Sequence, residues 1–236
     1  MKKVKAQLKK YLYAKVAPGY MDEELFKFLP DKVNVFMDVG AHTGSFTKLF
    51  HSKIKTGKSY LFEPIPEFYQ KIKEDTYFNN CHIHNIALST TTGEAEFSVN
   101  ELPETSSLLH FDHDLQETLG LNKKANRRIK VLTESLDNFA RDFQISKIDF
   151  IKIDVQGAEM DVLKGAEKIL PNVDWVFTEV SFKPIYKGSS TFDQVFKFFV
   201  ANNFIMVQLI PVYRGEHNEL LQCDVLFVNR SIYGKG

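Results

Sequence analysis

The sequence predicts a doubly wound α/β domain built on a mostly parallel sheet. Three observations carry that expectation. From residue 33 onward, short apolar runs bounded by turns alternate with helical stretches. One of these runs ends in Gly40, directly before a helix. The chain then closes with two apolar runs that have no helix between them. Parallel strands are covered by helices on both faces, so they read as near-continuous apolar runs rather than alternating ones. A chain of 236 residues suits one domain of this kind better than two.

The elements follow in order. Residues 33–39 form the first strand and 45–54 the first helix. Residues 59–62 give a short second strand, 67–77 a helix, and 81–88 a third strand. Residues 147–153 are the next apolar strand, followed by a helix over 158–170. Residues 174–180 form a strand and 192–202 a helix. The runs 204–209 and 223–228 make an antiparallel hairpin, because a polar loop with Gly215 joins them. Ahead of the domain, residues 1–30 read as a helical extension. Val4, Leu8, Tyr11 and Leu12 form one apolar stripe among six lysines, and a second helix covers 21–28. That basic helix either packs on the domain or makes peripheral contact with an anionic surface. The domain proper is residues 31–236, and the question of function rests on it.

The stretch 90–135 interrupts the rhythm. Residues 94–99 and 128–133 look like strands, and the polar segment between them holds His110, Asp112, His113 and Asp114. It is expected to lie over the carboxyl edge of the sheet, where open α/β sheets bind ligands. His110 and His113 with Asp112 and Asp114 match no established ligand spacing for a metal, so no metal site is assigned there. Lys123, Lys124, Arg127, Arg128 and Lys130 form a local basic patch, either solvated or attractive to an acidic acceptor. Thirty basic residues balance thirty acidic ones, which gives no electrostatic case for nucleic acid. Cys81 and Cys223 read as buried thiols, and no apolar run is long enough to span a membrane. With no secretory signal in evidence, the expected location is the cytoplasm. Oligomeric state leaves no mark in the sequence.

The most informative segment is Asp38-Val39-Gly40-Ala41-His42-Thr43-Gly44-Ser45. A buried strand enters a glycine turn and a helix opens at once, so free amides at the helix start face the ligand edge. The turn lacks the dinucleotide and phosphate-loop fingerprints. Asp38 is placed to accept a bond from a cationic amino group. Glu63 ends the second strand, where a ribose diol is gripped. Asn85 and Ala87 end the third strand, beside the expected adenine slot. A second cluster, Lys152-Ile153-Asp154-Val155-Gln156-Gly157-Ala158-Glu159, joins another strand to a helix across the crevice. Lys152 is unusual within such a strand. Glu159 either complements the helix dipole or faces the site. Glu179 ends the next strand and adds a further carboxylate at the same edge.

From about residue 33 to 228 the chain resembles the FkbM-type methyltransferases. The carrying segments are Asp38–Gly44, Phe62-Glu63-Pro64, Ala87-Leu88-Ser89, Ser106-Ser107-Leu108, 151–159 with Val162-Leu163-Lys164-Gly165-Ala166, and Glu179-Val180-Ser181-Phe182. The resemblance implies a seven-stranded Rossmann-like methyltransferase sheet and S-adenosylmethionine as methyl donor. It also implies oxygen methylation of a sugar, glycoconjugate or other hydroxyl-bearing small molecule. The cofactor-binding residues are then Asp38, Gly40, Ala41, His42, Gly44, Ser45, Glu63, Asn85, Ala87 and Asp154. Asp154 and Glu179 are the candidate acid/base groups, and Ser107, Gln156 and Glu159 face the acceptor. Many members carry Asn in place of His42 and Glu in place of Gln156. The second difference weakens any acid/base or metal role at that position. A magnesium-assisted variant with Asp154 and Glu179 as oxygen ligands is the secondary expectation. Two rivals stand beside this reading: a nicotinamide-dependent oxidoreductase, which the glycine spacing opposes, and a non-catalytic binding module of the same fold.

Overall fold

In the computed structural model, the described residues are 25–100, 106–109, 125–184, 186–215 and 217–233. The expected N-terminal helix over 1–16, most of the one over 21–28, and His110 through Lys124 lie outside them.

Two sheets organise the described residues. The larger one has seven strands in the order β3-β2-β1-β7-β8-β10-β9. These are β1 (Lys32–Val39), β2 (Lys55–Phe62), β3 (His82–His84), β7 (Ile148–Ile153), β8 (Val173–Ser181), β9 (Phe204–Arg214) and β10 (Leu220–Asn229). Neighbours from β3 to β8 run parallel, and β10 is antiparallel to both β8 and β9. The closing hairpin is therefore as the sequence predicts. The smaller sheet, β4-β6-β5, comprises β4 (Ala87–Leu88), β5 (Gly93–Asn100) and β6 (Ala125–Glu134). Among the described residues, five helices connect the strands: α1 (Ser45–Lys53), α2 (Pro66–Glu74), α3 (Leu136–Asp142), α4 (Glu159–Lys164) and α5 (Phe192–Ala201).

Three elements differ from expectation. The third strand is two pieces: His82–His84 pairs with β2, and Ala87–Leu88 leaves to pair with β6 in the other sheet. Asn85 occupies the break, its side chain spent on the carbonyls of Glu63 (2.8 Å) and Pro64 (3.0 Å). The helix expected over 158–170 is only Glu159–Lys164, and a 3-10 turn at Leu170–Asn172 follows. Helix α3 was not anticipated. Ser135 caps it, accepting from the Asn138 amide at 3.2 Å, and Leu136, Phe139 and Ala140 form its buried face.

Side chains of β1 alternate between two cores. Phe36 packs with Phe50, Phe150 and Leu226 on one face. Met37 and Val39 meet Phe62, Phe139 and Ile151 on the other. Burying each such side chain contributes roughly 1.5–3 kcal/mol, so both faces must be covered. A separate apolar cluster of Ile65, Phe68, Ala87, Phe97 and Val131 glues the small sheet to α2. The outer face of that sheet is ionic. Arg128 pairs with Glu96 at 2.9 Å and Lys130 reaches Glu94 at 3.8 Å. Toward α2, Arg127 meets Glu67. The described part of the basic patch is thus spent on neighbouring acids.

Candidate active site

The strand order reverses between β1 and β7. In a doubly wound sheet this opens a crevice at the carboxyl ends. A cavity of about 300 Å³ occupies it here. Its walls come from the turn after β1, the end of β2, residues Ile86–Leu88, the insertion through Phe97, Ser106 and Leu108, and the turn after β7. The described half of the insertion therefore lies at the ligand edge.

The first turn is fixed by backbone geometry. Gly40 has φ 79°, and a side chain there would bring its Cβ within 2.0 Å of the Asp154 carbonyl oxygen. The Gly40 and Ala41 amides both donate to Phe62 O at 3.0 Å. His42 also adopts a left-handed conformation, φ 52°. Gly44 caps α1 at φ 74° without a side-chain acceptor, and no acid occupies the first helical turn. Ser45 begins the helix, its hydroxyl 2.9 Å from that of Thr43. Gly40, Ala41, His42 and Ser45 line the cavity, whereas Gly44 sits behind it.

Glu63 closes this side. Its Oε2 accepts from the His42 amide at 2.7 Å and its Oε1 from the Ile65 amide at 2.8 Å. Burial pushes its carboxyl up to about 7, against the lowering pull of those two amides and of Lys152. Each carboxylate oxygen keeps lone-pair capacity for a second donor. Asn85 braces the turn behind it, and Ala87 lines the cavity beside Ile86 and Leu88.

Asp38 has a different place from its neighbours. It is fully buried and does not line the cavity. Its Oδ2 accepts from the Thr47 hydroxyl at 2.6 Å, and its Oδ1 lies 3.3 Å from Lys152 Nζ. The sheet register puts Asp38 opposite Lys152. That lysine also donates to Gly40 O at 3.0 Å and stands 3.5 Å from Asp154 Oδ2. One buried cation thus ties the first turn to the second. A lone buried charge would be costly, and here it is surrounded by carboxylates and a carbonyl.

The second turn is held by side chains. Glu159, buried behind it, accepts from the Val155 amide at 3.1 Å and the Gly157 amide at 3.0 Å. Desolvation raises its carboxyl to about 7. Glu159 therefore braces the turn and does not face the cavity. Gln156 Nε2 donates to Asp154 Oδ1 at 2.6 Å and to Glu179 Oε1 at 3.4 Å. Tyr186 donates its hydroxyl to Gln156 Oε1 at 3.0 Å, and Gln222 donates to Glu179 Oε1 at 2.9 Å. Burial, with the nearby carboxylates of Glu179, Glu159 and Asp154, keeps the Tyr186 hydroxyl protonated well above its ordinary range. Ser107 is fully buried, with its hydroxyl donating to Val155 O at 3.4 Å. It anchors the insertion to this turn, while Ser106 and Leu108 face the cavity. Asp154, Gln156 and Glu179 all line it. So does Asp224, opposite Glu179 in the β8–β10 register. Tyr186, Gln222, Asp224 and Thr47 carry no motif that sequence reasoning singles out. Among the described residues, no three His, Cys, Asp or Glu side chains gather so as to hold a metal ion.

The FkbM methyltransferase domain family matches residues 38–206, a span holding both turns and Glu63, Asp154 and Glu179. The chain belongs to that family. It is 26% identical over 162 residues to the 2-O-methyltransferase NoeI of Sinorhizobium fredii (strain NBRC 101917 / NGR234), covering 65% of this chain and 66% of the relative. It is 22% identical over 147 residues to the hexuronic acid methyltransferase AglP of Haloferax volcanii, covering 62% and 56%. The chain thus spans less than two thirds of the length of either relative. A crystal structure of the methyltransferase FkbM from Methylobacillus flagellatus KT aligns over 90% of this chain and 50% of that one, with a TM-score of 0.53 and 16% identity. That likeness shows the fold, and the fold of this FkbM domain is the Rossmann-like methyltransferase sheet.

Proposed function

We propose that the protein transfers a methyl group from S-adenosylmethionine to a hydroxyl of a sugar, glycoconjugate or related small molecule. The observation that carries this reading is Glu63. A buried carboxylate, pinned by two amides at the end of β2, lines the cavity one βαβ step from an open helix start. The residues fit the cofactor. Glu63 has acceptor capacity for both ribose hydroxyls, and Ile86, Ala87, Leu88 and Phe97 offer an apolar slot for a flat base. Gly40, Ala41, His42 and Ser45 cradle the amino-acid end, and Asp154, Glu179 and Asp224 suit a cation. The family, one relative named as a 2-O-methyltransferase and one named as a hexuronic acid methyltransferase support the reaction class. The nicotinamide alternative has no such support.

When bound, the cofactor supplies an electrophilic methyl group. The protein's part is alignment, which can provide much of the acceleration for a displacement at carbon. Asp154 is partly open to the cavity and is held by Lys152 and Gln156. It accepts the proton of the attacking hydroxyl, with Glu179 beside it. The insertion through Ser106 and Leu108 closes the acceptor side. The acceptor is a small molecule or glycan rather than nucleic acid, given the balanced net charge and the paired arginines of β6. Among the described residues no helix is long and apolar enough to cross a membrane. A methyl-transfer assay with labelled donor against paired sugars, glycoconjugates and small alcohols tests the reading. Label transfer to a sugar hydroxyl that vanishes in Glu63→Ala supports it. Binding of nicotinamide dinucleotide in place of the donor would sink it.

A further inference from the structure

Gln156 adopts φ 57°, a left-handed conformation that residues with side chains rarely hold. Its surroundings enforce it from two sides. Glu159 pins the amides before and after it, Val155 and Gly157. Gly157, at φ 100°, lies against the Tyr186 ring, where a Cβ would come within 2.7 Å. The side chain is aimed with equal care. Asp154 and Glu179 each stand within hydrogen-bond reach of its Nε2. Ionised carboxylates only accept, so the amide must turn its NH2 group toward them. Its carbonyl is then left for a donor, and Tyr186 supplies one at 3.0 Å. The reverse orientation would set a carbonyl against two carboxylates and face the Tyr186 hydroxyl with the NH2.

We propose that Gln156 is a positioning residue: its amide bridges Asp154 and Glu179 in the place a cation would take between facing carboxylates, and Tyr186 fixes the sense of that amide. The proposal rests on the methyl-transfer reading above for what the pair faces. The bridge is neutral, so it holds the two carboxylates together without cancelling their charge. Lys152 balances part of it but is shared with Asp38. The wall therefore favours the sulfonium cation of S-adenosylmethionine over the neutral thioether of S-adenosylhomocysteine.

Two measurements on the full chain test this. The first is the unfolding midpoint with and without millimolar Mg²⁺, Mn²⁺ or Ca²⁺, for the parent and for Gln156→Glu. The parent midpoint should not respond. Gln156→Glu places a third carboxylate between the other two, and its midpoint should rise with the cation. The second is calorimetric binding of S-adenosylmethionine and S-adenosylhomocysteine to the parent and to Tyr186→Phe. The parent should prefer the cation. The preference should fall by roughly two- to tenfold in Tyr186→Phe, the worth of one hydrogen bond. A parent stabilised by the cations would overturn the proposal, because a metal would then hold the pair. A folded Gln156→Glu protein indifferent to cations, or an unchanged preference in Tyr186→Phe, would overturn it as well. If Gln156→Glu does not fold, the parent's cation response and Tyr186→Phe still decide. If neither cofactor form binds, the methyl-transfer reading fails, and the cation measurement alone decides the bridge.

Discussion

The turn after β1 and the turn after β7 face each other across one cavity, yet they are held by different means. The first relies on what its backbone can do: glycines at 40 and 44, amides bonded to Phe62 O, and an uncapped helix start. The second relies on side chains: Glu159 behind it, and Gln156, Tyr186 and Gln222 around its two carboxylates. A backbone-built turn presents donors and suits the polar end of a ligand. A turn built from side chains places charge and suits the reacting centre. They meet at two points, the absent side chain of Gly40 against Asp154 O and the Lys152 ammonium shared by Asp38 and Asp154.

The largest effect should come from the charge of the second turn. Asp154→Asn is nearly isosteric, so its melting temperature should stay close to the parent's. Loss of the base should lower turnover by roughly 10²–10⁴. Near-parental turnover would remove Asp154 from the mechanism and erase the division of labour between the turns. Next is Glu63→Ala on the other side. Losing a carboxylate that accepts two ligand hydroxyls should cost about 1.5–3 kcal/mol, or roughly 10- to 150-fold in affinity for S-adenosylhomocysteine. Unchanged binding by calorimetry would move the ribose elsewhere.

The first turn was legible in the sequence because its signals are local: an apolar run, two glycines and an acid one βαβ step later. Its registers and the closing hairpin follow from the same pattern. The helix Leu136–Asp142 was hidden by its brevity, although Ser135 as a cap and the spacing of Leu136, Phe139 and Ala140 mark it in hindsight. The break at Asn85 was not readable, because 81–88 is uniformly strand-like and only the competing partner β6 divides it. The second turn itself was marked by Lys152 through Glu159, but the side chains that surround it were beyond reach. Tyr186 comes from the loop between β8 and α5, and Gln222 and Asp224 come from β10, so no spacing announces them. Asp38 shows the converse. Its position suggested a ligand contact, and the fold adds two partners the sequence did not announce, Thr47 and Lys152.

A smaller effect is expected from pH. Burial lifts Glu63 to about 7, above its ordinary value of 4.5. The ribose needs the ionised form, so affinity for S-adenosylhomocysteine should be flat above pH 7 and fall below it, by up to about tenfold per pH unit. Stability should move the other way. A carboxyl raised on folding contributes stability that is present below its unfolded value and is lost as pH rises through 7. Glu63→Gln should flatten the binding profile at a low plateau. Glu159 also rises to about 7 but lies behind the second turn, so Glu159→Gln should alter the stability profile and leave the slope of binding in place. A binding profile that ignores Glu63→Gln would assign the titration to another group.

The smallest effect on function should come from Thr47, and it decides what Asp38 does. Thr47 is fully buried, does not line the cavity, and gives its hydroxyl to Asp38 at 2.6 Å. Thr47→Val keeps the shape and removes the donor, leaving Asp38 with Lys152. Losing a hydrogen bond to a buried charge should cost about 1.5–3 kcal/mol of stability, which denaturant unfolding reads. If Asp38 acts only as the buried anchor of Lys152, affinity for S-adenosylhomocysteine should stay within a few-fold of the parent. If Asp38 holds the amino group of the ligand directly, freeing its Oδ2 should change that affinity by more than the stability loss accounts for. The first outcome sharpens the contrast between the turns, because the first then binds through backbone and Glu63 alone. The second returns a side-chain charge to the first turn and breaks it.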